Sequence, residues 1–359
     1  MSGLHGGDIY SAAEKLKIPE RKIIDFSSSP NPHGVSKKVR AEMRKYLKFL
    51  SNYPDPESRR LTRVLSERYV AGTENILCGN GSTELIYLIV RALKPQRALL
   101  VAPTFSEYEN ALRMYGVSDL SVMMLKETDN FKLDVSAFTE KLKDRDIAFL
   151  CNPNTPTAGF INKADMLRIS ETAEATGCYL VVDEAFMDFF YLHSENPGGF
   201  SVIDHVLKNP YLIVLKSYTK FYALCGLRIG AVFSDKKTVQ LLKTYKEPWT
   251  VNTLAQRALV TALRDKVYER DTFALLKEEK VFFEKSFNKR EIQYFPSSVN
   301  FYLIKHERAA HIYEKLRDRG ILLRSCADYN GLSDNHLRIA VKTRRENSVL
   351  FKSLSHALR

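Results

Sequence analysis

An α/β fold is what this sequence predicts, built on a mostly parallel sheet covered by helices, with a smaller α+β domain beside it. Through the middle of the chain, short β-rich apolar runs alternate with longer segments of helical period, the pattern of parallel strands joined by helical crossovers. The runs are nearly continuous in apolar residues, as in strands buried on both faces. From about residue 252 the pattern changes to a long charged helical stretch and then to strand, helix and strand, which marks a second unit.

Taken in order, the strand runs are 74–79 (ENILCG), 97–102 (RALLVA), 147–152 (IAFLCN), 178–183 (CYLVVD), 211–216 (YLIVLK) and 229–234 (IGAVFS). The first leads through Gly79-Asn80-Gly81-Ser82, a turn-forming sequence, into a helix over 83–93 (TELIYLIVRAL). Residues 252–285 read as helix, VNFYLI, ILLRSC and HLRIAV as strands, and AAHIYEKLRDRG as a helix between the first two. Residues 36–250 are expected to form the large domain, and 251–359 together with 1–35 the small one.

The composition is that of a chain with real cores, 45% hydrophobic, and Lys plus Arg (54) exceed Asp plus Glu (42) to give a net charge of +12. Such a balance raises the question of a nucleic-acid partner. The basic residues are interleaved with acidic ones, as in KEEKVFFEK and EKLRDR, which is how solvated helix faces look, so no nucleic-acid partner is expected. No apolar run approaches the roughly 18 residues of a membrane span. The opening MSGLHGGDIYSAAEKLKIPERK lacks the apolar stretch of a signal peptide, so a cytoplasmic protein without membrane contact is expected. The five cysteines, Cys78, Cys151, Cys178, Cys225 and Cys326, are odd in number, far apart and without a CxxC pair. That excludes a disulfide framework, and no metal site is expected.

Four segments carry chemistry. In 214–230, VLKSYTKFYALCGLRIG, the residues Ser217, Thr219, Lys220 and Arg228 follow a buried strand. A lysine there is either a solvated loop residue or a Schiff-base amine activated by partial desolvation. Hydroxyls one and three residues before it and an arginine eight after it are donors suited to a phosphate. Asp183 ends the strand 178–183, where an acidic side chain either faces the crevice of an open α/β sheet or caps a helix. Against a pyridinium nitrogen it would keep that nitrogen protonated. Gly79-Asn80-Gly81-Ser82-Thr83-Glu84 leads into a helix whose free N–H groups suit a phosphate. Asn152-Pro153-Asn154-Thr155-Pro156-Thr157-Ala158-Gly159 follows a strand directly, with amides able to reach a ring hydroxyl or to hold an Asx-turn.

Together these segments resemble the fold type I pyridoxal-phosphate enzymes, the aspartate aminotransferase superfamily, over nearly the whole chain. The resemblance implies a three-layer α/β/α large domain and pyridoxal 5'-phosphate as cofactor. It implies Lys220 as the internal aldimine lysine, Asp183 as partner of the pyridine nitrogen, and Arg228 with Ser217 and Thr219 as the phosphate cup. Gly81, Ser82 and Thr83 would supply the phosphate-binding helix start, and Phe105 the aromatic stacked on the cofactor ring. Tyr53, in Asn52-Tyr53-Pro54-Asp55-Pro56, matches a tyrosine that reaches the phosphate of the neighbouring subunit's cofactor, which implies a homodimer with shared active sites. The family pattern Asn-Pro-Asn-Asn-Pro-Thr-Gly reads NPNTPTAG here. Thr155 therefore stands where an asparagine contacts the cofactor's phenolic oxygen, and that contact falls to the Thr155 hydroxyl or to Asn154.

Within the superfamily the motifs resemble the histidinol-phosphate aminotransferase branch, and more narrowly the threonine-phosphate decarboxylase family. The segments are HGGDIYSAAEKL and DFSSSPNPHG near the N-terminus, PTFSEYENAL at 103–112, DEAFMDF at 183–189, and LLRSCADYNGL followed by HLRIAVKTRREN. Phe186 stands where the aminotransferases commonly carry tyrosine. The narrower resemblance implies a small phosphorylated amino acid as substrate, with Arg338 on its carboxylate and Arg324, His5, Gly6 and Ser29 around the rest. By residue type alone the two arginines also suit surface ion pairs and His5 a chain terminus, and Ser29 replaces an asparagine usual in the family. The implied reaction is decarboxylation of L-threonine O-3-phosphate to (R)-1-amino-2-propanol O-2-phosphate, a step of cobalamin side-chain synthesis. The alternative is a histidinol-phosphate-type transamination using 2-oxoglutarate.

Overall fold

The structure, a computed structural model, describes residues 5–190 and 199–358. Its strands are β1 (Ile24–Asp25), β2 (Ile76–Gly79), β3 (Arg97–Ala102), β4 (Asp119–Met124), β5 (Ile147–Cys151), β6 (Tyr179–Asp183), β7 (Leu212–Ser217) and β8 (Gly230–Ser234). The C-terminal part adds β9 (Gln293–Tyr294), β10 (Phe301–Lys305), β11 (Ile321–Leu322), β12 (Arg324–Ser325) and β13 (His336–Ala340). The main sheet has seven strands in the order β2-β8-β7-β6-β5-β3-β4. β3, β4, β5, β6 and β7 run parallel, and β8 runs antiparallel to both of its neighbours.

Side chains of the central strands alternate between two cores, as the period of two requires. Leu99, Val101, Leu150, Val182 and Val214 enter one core, and Leu100, Phe149, Val181, Ile213 and Leu215 the other. The second core is closed by the helices Ser82–Leu93, Glu107–Met114 and Lys236–Tyr245, through residues such as Ile86, Leu112 and Leu242. The first is closed by Val135–Leu142 and Lys163–Thr176, through Phe138 and Ile169. Helices on both faces of the sheet make the three layers that the resemblance implies.

Three elements depart from the sequence expectation. β4 (DLSVMM) is an edge strand paired on one side only, its residues half-buried or exposed, so it lacks the continuous apolar run that marks its neighbours. The helical stretch after 252 is two helices, Thr253–Ala262 and Lys266–Asn288, broken around Asp265. The first packs against Lys37–Tyr46 and Arg59–Tyr69, whereas the second ends in an aromatic cluster of Phe283, Phe287, Tyr302 and Phe351. ILLRSC is divided: β11 pairs with β1 in parallel, and after Leu323 the chain changes partner so that β12 pairs with β13. That change brings Arg324 directly opposite Arg338. All five cysteines are free thiols, four of them buried.

Candidate active site

Because β5, β6 and β7 are parallel and in register, their C-terminal ends, Cys151, Asp183 and Ser217, share one edge of the sheet. At such an edge the loops that follow the strands leave a crevice. A cavity of about 380 Å³ lies there, lined by His5, Gly6, Ser29, Ser82, Thr83, Phe105, Thr155, Asp183, Ser217, Lys220, Arg228, Arg324 and Arg338. Residues read from segments more than 300 positions apart thus face one space. Gly81, Thr219 and Asn154 adjoin lining residues in sequence without lining the cavity themselves, and Tyr53 does not line it either.

One end of the cavity is built for an anion. The helix Ser82–Leu93 begins without a side-chain cap, which leaves its first N–H groups and the positive end of its dipole available. Gly81 precedes it at φ 84, and a Cβ there would sit 2.7 Å from Nη2 of Arg228. Glycine is therefore what lets the guanidinium lie across the helix start. Gly230 has a similar task, since its Cβ would come within 2.7 Å of the Ser82 nitrogen, too close for β8 to pack under the helix. The hydroxyls of Ser217 and Thr219 are 2.8 Å apart, and Lys220 Nζ donates to Thr219 Oγ1 at 3.0 Å.

Lys220 is carried by the turn after β7, and Asn31 holds that turn: its N–H donates to the Lys220 carbonyl at 2.8 Å and its Nδ2 to the Phe221 carbonyl at 2.8 Å. Burial holds the Lys220 amine below its ordinary value; Arg228 and Arg338 press the same way, and Asp183 opposes them. Asp183 is fully enclosed. Burial pushes its carboxyl upward, against the Tyr108 hydroxyl, the Ala185 N–H and the charges of Lys220 and Lys216. The Tyr108 hydroxyl donates to Asp183 Oδ2 at 2.8 Å and the Ala185 N–H to Oδ1 at 2.9 Å. Burial, and then the Asp183 charge, push the Tyr108 hydroxyl well above the ordinary phenol, so it remains the donor. Glu184, next in sequence, faces the opposite side and joins Asp188 around the buried Lys216, at 3.8 and 3.0 Å.

The Asn154 amide is spent on its own turn and on the loop that follows β3. Nδ2 donates to the Pro103 carbonyl at 2.9 Å and to Thr157 Oγ1 at 2.8 Å, and Oδ1 accepts from Thr104 Oγ1 at 2.7 Å. Thr155 is the residue that reaches the cavity, where its hydroxyl accepts from Arg338 Nη1 at 2.7 Å. Arg338 Nη2 donates to the Ser27 carbonyl at 2.7 Å. The buried Nε of Arg338 and Oγ of Ser29 have no hydrogen-bond partner among the described residues. Arg324 donates to Asp328 at 2.7 Å and lies over the Tyr329 ring at 4.9 Å. Both arginines are buried, at 6% and 9% exposure, and they are direct cross-strand neighbours. Like charges so placed repel, an effect that Asp328 offsets at Arg324 and that a bound anion would offset further.

Sequence reasoning missed Glu107, Tyr108 and Tyr329, which also line the cavity. The first two had a usable signal: they follow Phe105 within one helical turn, and Phe105 meets Tyr108 edge-on at 5.6 Å. Tyr329 lies in LLRSCADYNGL, a segment that carries the resemblance, but its place in the cavity depends on the partner change at Leu323. Tyr53 is 81% exposed and packs on Trp249, with ring centres 5.0 Å apart. Among the described residues no helix is long and apolar enough to cross a membrane, and no cluster of His, Cys, Asp and Glu could hold a metal ion.

Sequence and fold comparisons give the chain a family. The family model for aminotransferase class I and II matches residues 21–354. The threonine-phosphate decarboxylase of Salmonella typhimurium is 33% identical over 99% of this chain and 96% of its own length. Histidinol-phosphate aminotransferase 2 of Carboxydothermus hydrogenoformans is 30% identical over 97% of this chain and 96% of its own. The crystal structure of the histidinol-phosphate aminotransferase from Clostridium acetobutylicum superposes with a TM-score of 0.86 at 28% identity, covering 94% of this chain and 99% of that one.

Proposed function

The chain belongs to the aminotransferase class I and II family, and from that premise we propose that this pyridoxal-phosphate-dependent enzyme decarboxylates L-threonine O-3-phosphate, releasing CO2 and (R)-1-amino-2-propanol O-2-phosphate. The observation that carries the reading is the buried pair Arg324 and Arg338, side by side on β12 and β13. With Arg228 at the helix start, the cavity holds three guanidiniums, enough for a cofactor phosphate, a substrate phosphate and a carboxylate. The chain's resemblance to the Salmonella decarboxylase supports the same substrate, and that reaction would serve cobalamin side-chain synthesis.

The donor set fits the cofactor. Arg228, the N–H groups of Ser82 and Thr83 and the hydroxyls of Ser217 and Thr219 would hold its phosphate, with Gly81 leaving room for the guanidinium. Asp183, held by Tyr108, would keep a proton on the ring nitrogen; Phe105 would cover the ring face and Thr155 would donate to the phenolic oxygen. When bound, pyridoxal phosphate supplies the electron sink that allows a bond to the substrate's Cα to break heterolytically.

The remaining work belongs to side chains of this protein. Arg338 orients the substrate carboxylate, while Arg324, His5, Gly6 and Ser29 surround its phosphate end. Orientation decides which bond breaks. With Arg338 holding the carboxylate so that the Cα–carboxylate bond is the one to break, CO2 would leave and the Lys220 ammonium would give one proton from Nζ to Cα. Burial lowers the basicity of Lys220, which makes its ammonium a readier proton donor than a solvated lysine.

A second reading, transamination of histidinol phosphate with 2-oxoglutarate, draws on the 30% identity to the Carboxydothermus aminotransferase. The test is to incubate the holoenzyme with threonine phosphate and, separately, with histidinol phosphate plus 2-oxoglutarate. CO2 without oxo-acid consumption is expected; glutamate with no CO2 would replace the first reading by the second. The functional unit is proposed to be a homodimer, in which Tyr53 reaches the partner's cofactor phosphate. Exposed Leu47, Phe49, Leu50, Tyr53 and Trp249 supply the apolar surface that a second copy would cover.

A further inference from the structure

His5 is half-exposed, with 53% of its side chain accessible, yet its ring is tied to the far wall of the cavity. Its Nε2 lies 2.9 Å from Oε1 of Glu107, whose side chain is 12% exposed. Glu107 opens the helix Glu107–Met114, where the helix dipole favours a carboxylate. The same Oε1 accepts from Asn110 Nδ2 at 2.9 Å, and Oε2 accepts from the Tyr87 hydroxyl at 2.7 Å. Asn110 and Tyr87 therefore hold the carboxylate in place whether or not His5 is bound. Tyr87 belongs to the helix whose first residues, Ser82 and Thr83, line the cavity.

The residues after His5 are anchored on Ser27, which adjoins the lining residues Ser28 and Ser29. The Gly7 N–H donates to Ser27 Oγ at 2.8 Å, and a Cβ on Gly6 would stand 2.1 Å from the Ser27 carbonyl oxygen. Only glycine lets residue 6 lie flat there. That carbonyl is the one that accepts from Arg338 Nη2. Residues 5–7 thus form a strap from the support of Arg338 to the helix behind Phe105, and the His5 ring rests 6.0 Å from the ring of Phe105.

We infer that Glu107 is a positioning residue, preset by Tyr87 and Asn110, which latches the strap by its bond to His5 and so closes the cavity over an anionic substrate. The inference rests on the proposed function only in taking the occupant to be a phosphorylated amino acid; the strap geometry stands apart from it. Glu107→Ala should free the strap without disturbing the cofactor end.

The experiment uses the holoenzyme, with Glu107→Ala, His5→Ala, the double variant and the conservative Glu107→Gln. Amide hydrogen exchange is followed over residues 6–9, together with cofactor absorbance and steady-state kinetics on L-threonine O-3-phosphate. Exchange in Glu107→Ala should rise roughly three- to tenfold, the effect of losing one charge-assisted hydrogen bond to a half-exposed partner. His5→Ala should do the same and the double variant no more, because one contact is being removed by two routes. KM should rise more than kcat falls, cofactor absorbance should persist, and Glu107→Gln, which keeps an acceptor oxygen, should recover part of the loss. Unchanged exchange in Glu107→Ala, or additive effects in the double variant, would overturn the latch. If the wild-type enzyme does not turn over threonine phosphate, the functional proposal fails while the exchange data still decide the latch.

Discussion

Replacing Gly81 by alanine separates two consequences of one methyl group. Gly81 has φ 84 and ψ 163, a region that is essentially glycine's alone, and a side chain forced into such a conformation costs about 1–3 kcal/mol. This strain exists with or without cofactor and is expected as lost stability in urea denaturation of the apoprotein. The second consequence concerns binding. The new Cβ would lie 2.7 Å from Arg228 Nη2 and 3.2 Å from its Cζ, so the guanidinium must shift from its place over the helix start, and outright loss of its bond to the phosphate is the upper bound on the cost. A hydrogen bond to a charged group contributes about 1.5–3 kcal/mol, so pyridoxal 5'-phosphate should bind more weakly, by at most roughly 10- to 150-fold. Titration of the apoprotein with the cofactor, followed by its visible absorbance, measures that loss. Gly116→Ala is the control, since that residue also has positive φ (77) but nothing within 4 Å of its Cβ. It should lose stability and keep cofactor affinity. If Gly81→Ala binds the cofactor as tightly as the wild type, Arg228 does not hold the phosphate from this position and the proposed seat is wrong.

Two further perturbations probe the frame around the site. Lys280 is buried, its Nζ donating to the carbonyls of Ser297 at 2.6 Å and Val299 at 3.0 Å; burial pushes it down from 10.5 to about 8. Between those values the unfolded chain binds the extra proton, so stability should rise with pH, by at most about 3 kcal/mol at 1.36 kcal/mol per unit. Lys280→Met should lack that rise; parallel urea midpoints for the two proteins from pH 8 to 10 would refute it. Asp188→Ala removes the carboxylate 3.0 Å from the fully buried Lys216 ammonium, while Glu184 stays at 3.8 Å. Breaking such a pair costs about 3–5 kcal/mol, and with Glu184 retained the lower figure is expected in urea denaturation; a loss below 1 kcal/mol would contradict it.

How much of the site could be read in advance depended on whether its signal was local. Lys220, Asp183, Arg228 and the helix start at Ser82 were legible because each sits at the end of an apolar run or beside a glycine turn, with its chemistry inside a few residues. Asn154 and Thr155 were both candidates until hydrogen-bond partners from Pro103, Thr104 and Thr157 occupied the first and left the second facing the cavity. Tyr108 gave only a helical-spacing hint, since its role depends on a contact with Asp183, 75 positions away.

By itself the sequence determined the α/β class, the central strands and the residue types for a phosphate, an activated amine and an acidic partner, because burial pattern and turn chemistry are short-range properties. It did not reveal the edge strand β4, whose single paired side relaxes the demand for apolar residues. Nor did it reveal that ILLRSC changes partner at Leu323. Tertiary structure alone decided that Arg324 stands against Arg338 and that His5 meets Glu107, because those contacts follow from which strands and segments come together across the chain, and local composition does not record that choice.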